Sequence, residues 1–253
     1  MRELIVRGAS LAETYHKALE ELATYGEMMD SADWGCKCLE ASMTMSITDP
    51  MSEPMISRCC ICSPESLEQY RQELLDGIMD FNIGQGWDYT YHNRMVFPLD
   101  QKEFVLNELK RNPGSRRAVI DVRNINKDCY SEDPACLQHI QYFIRKGKLD
   151  CCILFRSNDA TRANFMNCFG LIMLQKWFAD ELGVKVGTFT LRANSFHCYE
   201  NELDNLKNYV TKIKEKGYTD KSIVFNYKDN WGKKMENSKP IIEEKVRKLR
   251  GEE

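Results

Sequence analysis

The sequence predicts an α+β fold, one domain over residues 1–253 built from packed helices and a mixed, largely antiparallel sheet. Three observations carry that reading. Helical stripes and strand-like runs follow one another without the regular alternation expected of an all-parallel sheet. Two strand-like runs, Gln138–Ile144 and Leu149–Phe155, flank Arg145-Lys146-Gly147-Lys148, whose lone glycine suits a tight hairpin turn. No linker, repeat or low-complexity tract breaks the first 220 residues, and 253 residues suffice for one sizeable core.

Taken in order, Leu11, Tyr15, Leu19 and Leu22 recur at helical spacing, so Leu11–Tyr25 is a helix. Ser42–Asp49 alternates like a strand and runs into Pro50 and Pro54. Ser66–Met79 is a helix with Leu67, Tyr70, Leu74 and Ile78 on one stripe. A loop rich in Gly84, Gly86 and aromatics leads to a helix near Lys102–Arg111. Asn112-Pro113-Gly114 is a turn, and Arg117–Val122 a short strand. Phe165–Leu182 is a strong helix, stopped by Gly183 in the C′ position. Gly187–Tyr199 reads as a strand ending in a polar loop. From Lys233 the charges are dense and mixed in sign, which reads as a solvated helix or a frayed, charged tail.

Composition excludes several function classes. A net charge of -3, with no basic stripe, gives no reason to expect nucleic acid as the partner. No apolar run is long enough to span a membrane, and MRELIVRGAS is no signal peptide. The 11 cysteines are therefore expected to be reduced thiols in a cytoplasmic protein. Cys36/Cys38 and Cys59/Cys60/Cys62 lack a second pair at zinc-site spacing, so no metal is expected. Cys151 and Cys152, adjacent in a strand, must point to opposite faces.

Chemistry enters at the hairpin. With Lys146 and Gly147 as its turn, paired residue numbers sum to 293, which sets Cys136 opposite Ser157 and beside Arg156. A guanidinium next to a thiol favours the nucleophilic thiolate. Other polar residues have weaker signals. Arg116-Arg117 is an exposed turn pair or a phosphate clamp. Asn167, in the first turn of an apolar helix, is a satisfied terminal amide or a reader of a heterocycle edge. His197 and Tyr199, two apart on a strand, share a face. Glu73 sits beside Leu74 and Leu75, where burial would raise its pKa into the range of a general acid or base.

Together these residues resemble the thymidylate synthases and their nucleotide hydroxymethylase relatives. The resemblance is carried by Pro134-Ala135-Cys136, Gln141-Tyr142-Phe143, Arg156-Ser157-Asn158-Asp159, Asn167 and His197-Cys198-Tyr199. Upstream, Ser115-Arg116-Arg117 and Tyr70-Arg71-Gln72-Glu73-Leu74-Leu75 fall in the same order. The match covers about residues 66 to 205, and Cys136-Leu137-Gln138 is most similar to the compact, archaeal-type branch.

The resemblance implies a three-layer domain and a homodimer acting on a pyrimidine nucleotide monophosphate. Cys136 would attack C6 of the base, turning C5 into a carbon nucleophile. Arg156 and Ser157 would hold the 5′-phosphate, joined by Arg116 and Arg117 from the second subunit. Asn167 would face N3 and O4, and its amide favours uracil over cytosine. His197 and Tyr199 would bond the sugar 3′-hydroxyl. Glu73 would manage protons at O4 through water, and Tyr91 would help remove the C5 proton. Asp159 would face the pterin of 5,10-methylenetetrahydrofolate, the one-carbon donor, and Trp87 is either a wall against it or an ordinary core tryptophan.

The chain also departs from the family pattern. Leu137 follows the nucleophile where most members have His, and the N-terminal phosphate arginine has no clear counterpart beyond Lys37 or Arg58. The favoured reaction is dUMP to dTMP. A hydroxymethyl product from dUMP, CMP or dCMP, and an inactive nucleotide- or RNA-binding relative, are the alternatives. A cysteine protease is disfavoured because His139 would point away from Cys136.

Overall fold

The computed structural model describes residues 1–32 and 35–252. In chain order the elements are β1 (Glu3–Gly8), α1 (Leu11–Tyr25), β2 (Glu27–Ser31), β3 (Cys36–Ile47), β4 (Ile56–Ser57), α2 (Pro64–Asp76), α3 (Tyr91–Val96) and α4 (Gln101–Arg111). They continue with β5 (Val119–Asp121), α5 (Ile125–Asp128), β6 (Leu137–Arg145), β7 (Lys148–Asp159) and α6 (Asn164–Glu181). The last are β8 (Lys185–Tyr199), α7 (Leu203–Lys216), β9 (Val224–Phe225) and α8 (Gly232–Arg250). The main sheet runs β1-β3-β8-β7-β6-β5, with β2 added to β3. β1/β3 and β7/β8 are parallel and the other pairs antiparallel, so the sheet is mixed as expected.

Three layers follow from where apolar surface lies. α6 is apolar on nearly every side, the pattern of a helix buried all round. It packs with α1 on the sheet, while α2 covers α6, α8 covers α2 and α7 covers α1. Gly170 lets this stack close up, because an added Cβ there would meet ring carbons of Tyr70 at 2.9 Å. Cys151 is buried and Cys152 exposed, as strand alternation requires.

The hairpin forms about a turn in which both Lys146 (φ 51°) and Gly147 (φ 72°) have positive φ, the arrangement that matches strand twist. Pairs sum to 293 from Arg145/Lys148 to His139/Leu154, and then the register slips. A bulge at Gln138 sets Leu137 opposite Phe155, and the Cys136 carbonyl accepts from the Arg156 amide at 2.9 Å. Cys136 therefore faces Arg156, not Ser157. Residues from Lys233 onward take the helical of the two expected forms but are not wholly solvated. They form α8, whose Met235, Ile242 and Val246 are buried, because a narrow apolar stripe threads through the charges. β1 and α7 were not anticipated.

His16 on α1 has a consequence for stability. Its ring is buried between the Tyr218 carbonyl, 2.7 Å from Nδ1, and the Ser57 hydroxyl, 2.7 Å from Nε2. Nδ1 carries the proton toward the carbonyl and Nε2 accepts from Ser57. Burial is the main cause that lowers its pKa from 6.5 to about 4. The unfolded chain then binds the proton first as pH falls. His16's contribution is complete above pH 6.5 and lost progressively towards pH 4, in total about 3 kcal/mol. Urea titrations at pH 7 and pH 4.5 should show a smaller pH-dependent loss for His16→Gln than for the native chain. Equal losses would refute this.

Candidate active site

The loops and strand ends around α6 enclose a cleft of roughly 1420 Å³, larger than the ~300–1,000 Å³ of an ordinary single-ligand pocket. Its walls combine side chains from distant parts of the chain. Cys136 comes from the loop before β6; Arg156, Ser157 and Asp159 from the end of β7; and Asn167 from the first turn of α6. Glu73 comes from α2, Tyr91 from α3, Trp87 from the loop between them, and His197 and Tyr199 from the end of β8. Arg116 and Arg117 are not in the cleft. They are exposed just before β5, at the edge of the sheet.

Cys136 is held in place by its neighbours. Arg156 donates from Nε to the Ala135 carbonyl at 3.1 Å and from Nη2 to the Pro134 carbonyl at 2.5 Å, which clamps the loop bearing the thiol. The Leu137 amide donates to the Tyr91 hydroxyl at 3.4 Å. Burial pushes the Cys136 thiol up, Arg156 opposes that shift, and Asp133 adds to it. The net direction is upward, so the expected gain in thiolate from Arg156 is outweighed by desolvation in the free protein.

The other side chains are also well defined. Burial raises the Glu73 carboxyl, as its apolar neighbours led one to expect, against the opposing pull of Gln69 and Lys245. Asp159 uses Oδ1 to accept from the Thr161 and Arg162 amides, both at 2.9 Å, which secures the turn into α6. His197 and Tyr199 do share a face, their rings 4.8 Å apart and edge-on. Nδ1 of His197 lies 3.3 Å from Ser195 Oγ and 3.5 Å from Ser157 Oγ. Trp87 stands at the rim, 41% exposed, so it is not a core tryptophan. His139 pairs with Asp121 at 2.8 Å and does not reach the cleft. Arg58 stacks on Phe225 at 3.7 Å and Lys37 is exposed, so neither lines the cleft. Among the described residues that line it, Arg156 is the one guanidinium.

Two features escaped the sequence. Tyr70 donates a short hydrogen bond to Asn167 Oδ1, although its position one helical turn before Glu73 already put it on the same face. Lys245 on α8 donates to Gln69 Oε1 at 2.7 Å, and Gln69 Nε2 donates to Glu73 Oε1 at 2.7 Å. Nothing local in the sequence joins residues so far apart. This relay gives a test. Lys245→Met removes a charge that holds Glu73 down, so any activity dependent on ionised Glu73 should have its acid limb at higher pH. An unmoved kcat/KM profile would show that Lys245 does not act on Glu73.

Among the described residues no cluster of three or more His, Cys, Asp or Glu is placed to hold a metal, and no helix is long and apolar enough to cross a membrane. The thymidylate synthase family model matches residues 69–233. A protein of Methanosarcina barkeri, provisionally named a thymidylate synthase, is 29% identical over 212 residues, covering 83% of this chain and 95% of its own. A protein of the same provisional name from Methanocaldococcus jannaschii is 29% identical over 221 residues, covering 81% and 96%. Thermostable thymidylate synthase A of Bacillus subtilis has the same fold, with a TM-score of 0.63 at 21% identity over 80% of this chain and 84% of that one. With most of its length matched by the family model and this fold around its cleft, the chain belongs to the thymidylate synthase family.

Proposed function

We propose that this protein transfers a one-carbon unit from 5,10-methylenetetrahydrofolate to C5 of a uracil nucleotide, converting dUMP to dTMP through a covalent adduct at Cys136. The observation that carries the reading is the meeting of a thiol, an amide, a raised carboxyl and a phenol in one cleft. Its size supports two ligands, a nucleotide and a pterin.

In this reading the Cys136 sulfur bonds to C6 and the electron pair of the C5–C6 double bond moves onto C5 and O4. Asn167 holds the N3–O4 edge, and Glu73, its carboxyl raised by burial, manages protons at O4 through water. C5 then bonds to the donated carbon. As Tyr91 assists loss of the C5 proton, the bond from the donated carbon to tetrahydrofolate N5 breaks and leaves an exocyclic methylene. Cys136 departs as hydride or water adds to this carbon and the C5–C6 double bond re-forms. The Asp159 Oδ2 atom, free of the turn that Oδ1 secures, is directed to the pterin. Arg156 and Ser157 take the phosphate, with His197 and Tyr199 at the sugar. A single guanidinium suits a phosphate dianion poorly, which supports Arg116 and Arg117 arriving from the second subunit of a homodimer.

The exposure of Trp87 favours a second outcome. Hydride addition to the exocyclic carbon gives a methyl group and dihydrofolate, whereas water gives a hydroxymethyl group and tetrahydrofolate. A wall 41% exposed admits water unless ligands close over it. Incubation with dUMP and methylenetetrahydrofolate, followed by absorbance and product mass, separates the two. Dihydrofolate with a methyl-sized mass gain supports dTMP synthesis. A hydroxymethyl-sized gain without dihydrofolate supports the alternative, and no reaction with uracil or cytosine nucleotides overturns both.

A further inference from the structure

Tyr70 is a side chain to which the chemistry above gives no task, yet it lies inside the cleft. It extends from α2 one turn before Glu73, lies flat against Gly170 of α6, and ends with its hydroxyl on the Asn167 amide. The ring reaches Asn167 because residue 170 has no Cβ, which would stand 2.9 Å from two ring carbons. Tyr70 donates and Asn167 Oδ1 accepts. Burial, with Glu73 nearby, pushes the phenol well above its ordinary range, so it keeps its proton. Among the described residues Asn167 Nδ2 has no hydrogen-bond partner, though Asn167 is 92% buried, at 8% exposure.

We propose that Tyr70 is a positioning residue that locks the Asn167 amide with Nδ2 toward the substrate, so that the site selects a carbonyl over an amino group at position 4 of a pyrimidine. The inference rests on the cleft being the nucleotide site. A free amide can rotate and serve either base, because its two ends are nearly the same shape. A locked one cannot. Nδ2 donates to the C4 carbonyl of uracil, and the second lone pair of Oδ1 accepts from N3–H. Cytosine meets the same amide with an amino group against Nδ2 and a bare N3 against Oδ1. Both contacts then fail in a buried place, where an unmade hydrogen bond is costly. Removing the hydroxyl frees the amide to turn.

The test is the equilibrium affinity of dUMP and dCMP for the native protein and for Tyr70→Phe, measured without folate. Native protein should prefer dUMP by about 100-fold or more, from two mismatched buried contacts. Tyr70→Phe should narrow that preference roughly fivefold to tenfold, mainly by strengthening dCMP binding, with an unchanged melting temperature. A purely structural role would weaken both nucleotides alike and leave their ratio alone. Gly170→Ala displaces the ring without touching the hydroxyl's chemistry and should narrow the ratio in the same direction. An unchanged ratio in Tyr70→Phe, with dUMP still preferred, overturns this inference and leaves the proposed function standing. A native preference for dCMP overturns it because the amide would then face the other way. Binding of neither nucleotide overturns the proposed function and this inference together.

Discussion

Replacing Cys136 with alanine is expected to lower turnover of dUMP at least about 10⁴-fold while changing nucleotide affinity by less than about threefold. The thiol forms a bond to C6 only as the reaction proceeds, so its loss removes stabilisation from the covalent path and little from ground-state binding. The clamp around it survives the change. Arg156 holds the Pro134 and Ala135 carbonyls and the Leu137 amide reaches Tyr91, contacts that do not involve Sγ. The free thiol should also announce itself by its pH dependence. Because burial keeps it above the ordinary thiol range, alkylation by iodoacetamide should keep accelerating as pH rises past neutrality. Arg156→Ala removes the charge that opposes the shift and should slow alkylation at a fixed pH near 8. Bound dUMP should protect Cys136 of the native protein from alkylation. A Cys136→Ala protein retaining a hundredth of native turnover would exclude the covalent route.

Much of this site was legible because its signals are local. The hairpin around Gly147 shows in a few consecutive residues, and it brings Cys136 and Arg156 together even with the register off by one at its open end. The bulge at Gln138 was not visible, since it depends on tertiary bonds such as those from the Val122 and Arg123 amides to its carbonyl. α1 announced itself by an apolar stripe and α6 by an almost unbroken apolar run. The buried face of α8 did not, because Met235, Ile242 and Val246 are too few among its charges to mark it. The hydrogen bond from Tyr70 to Asn167 spans 97 residues, and only the stacking of α2 on α6 makes them neighbours. The thiol's direction of shift shows the same limit. Sequence reveals the arginine, whereas desolvation is a property of everything packed around it.

The largest effect on folding is expected from Asp128→Ala, which should cost about 3–5 kcal/mol. Asp128 on α5 and Arg94 on α3 are both buried and joined at 2.6 Å from Nη2 to Oδ1. Asp128 Oδ2 also accepts from the Asn124 amide at 2.8 Å, so both carboxylate oxygens have donors. Arg94 is less well served, for its Nη1 is buried without a partner among the described residues. Deleting the carboxylate leaves a guanidinium in the interior with no counter-charge, and burying a lone charge is more costly than losing one hydrogen bond. The damage should reach the cleft. Arg94 lies 5.4 Å from the Tyr89 ring centre, Tyr89 packs against Tyr91 at 5.8 Å, and both tyrosines line the site. A charge that leaves this interior takes α3 with it. The decisive comparison is the double variant Arg94→Met with Asp128→Leu, in which neither charge remains. Urea titration should find it within about 1.5 kcal/mol of native, far above the single variant, because a packed apolar pair replaces a buried ion pair at little net cost. If Asp128→Ala alone costs less than about 1 kcal/mol, water reaches Arg94 and the pair is not what holds α3 in place.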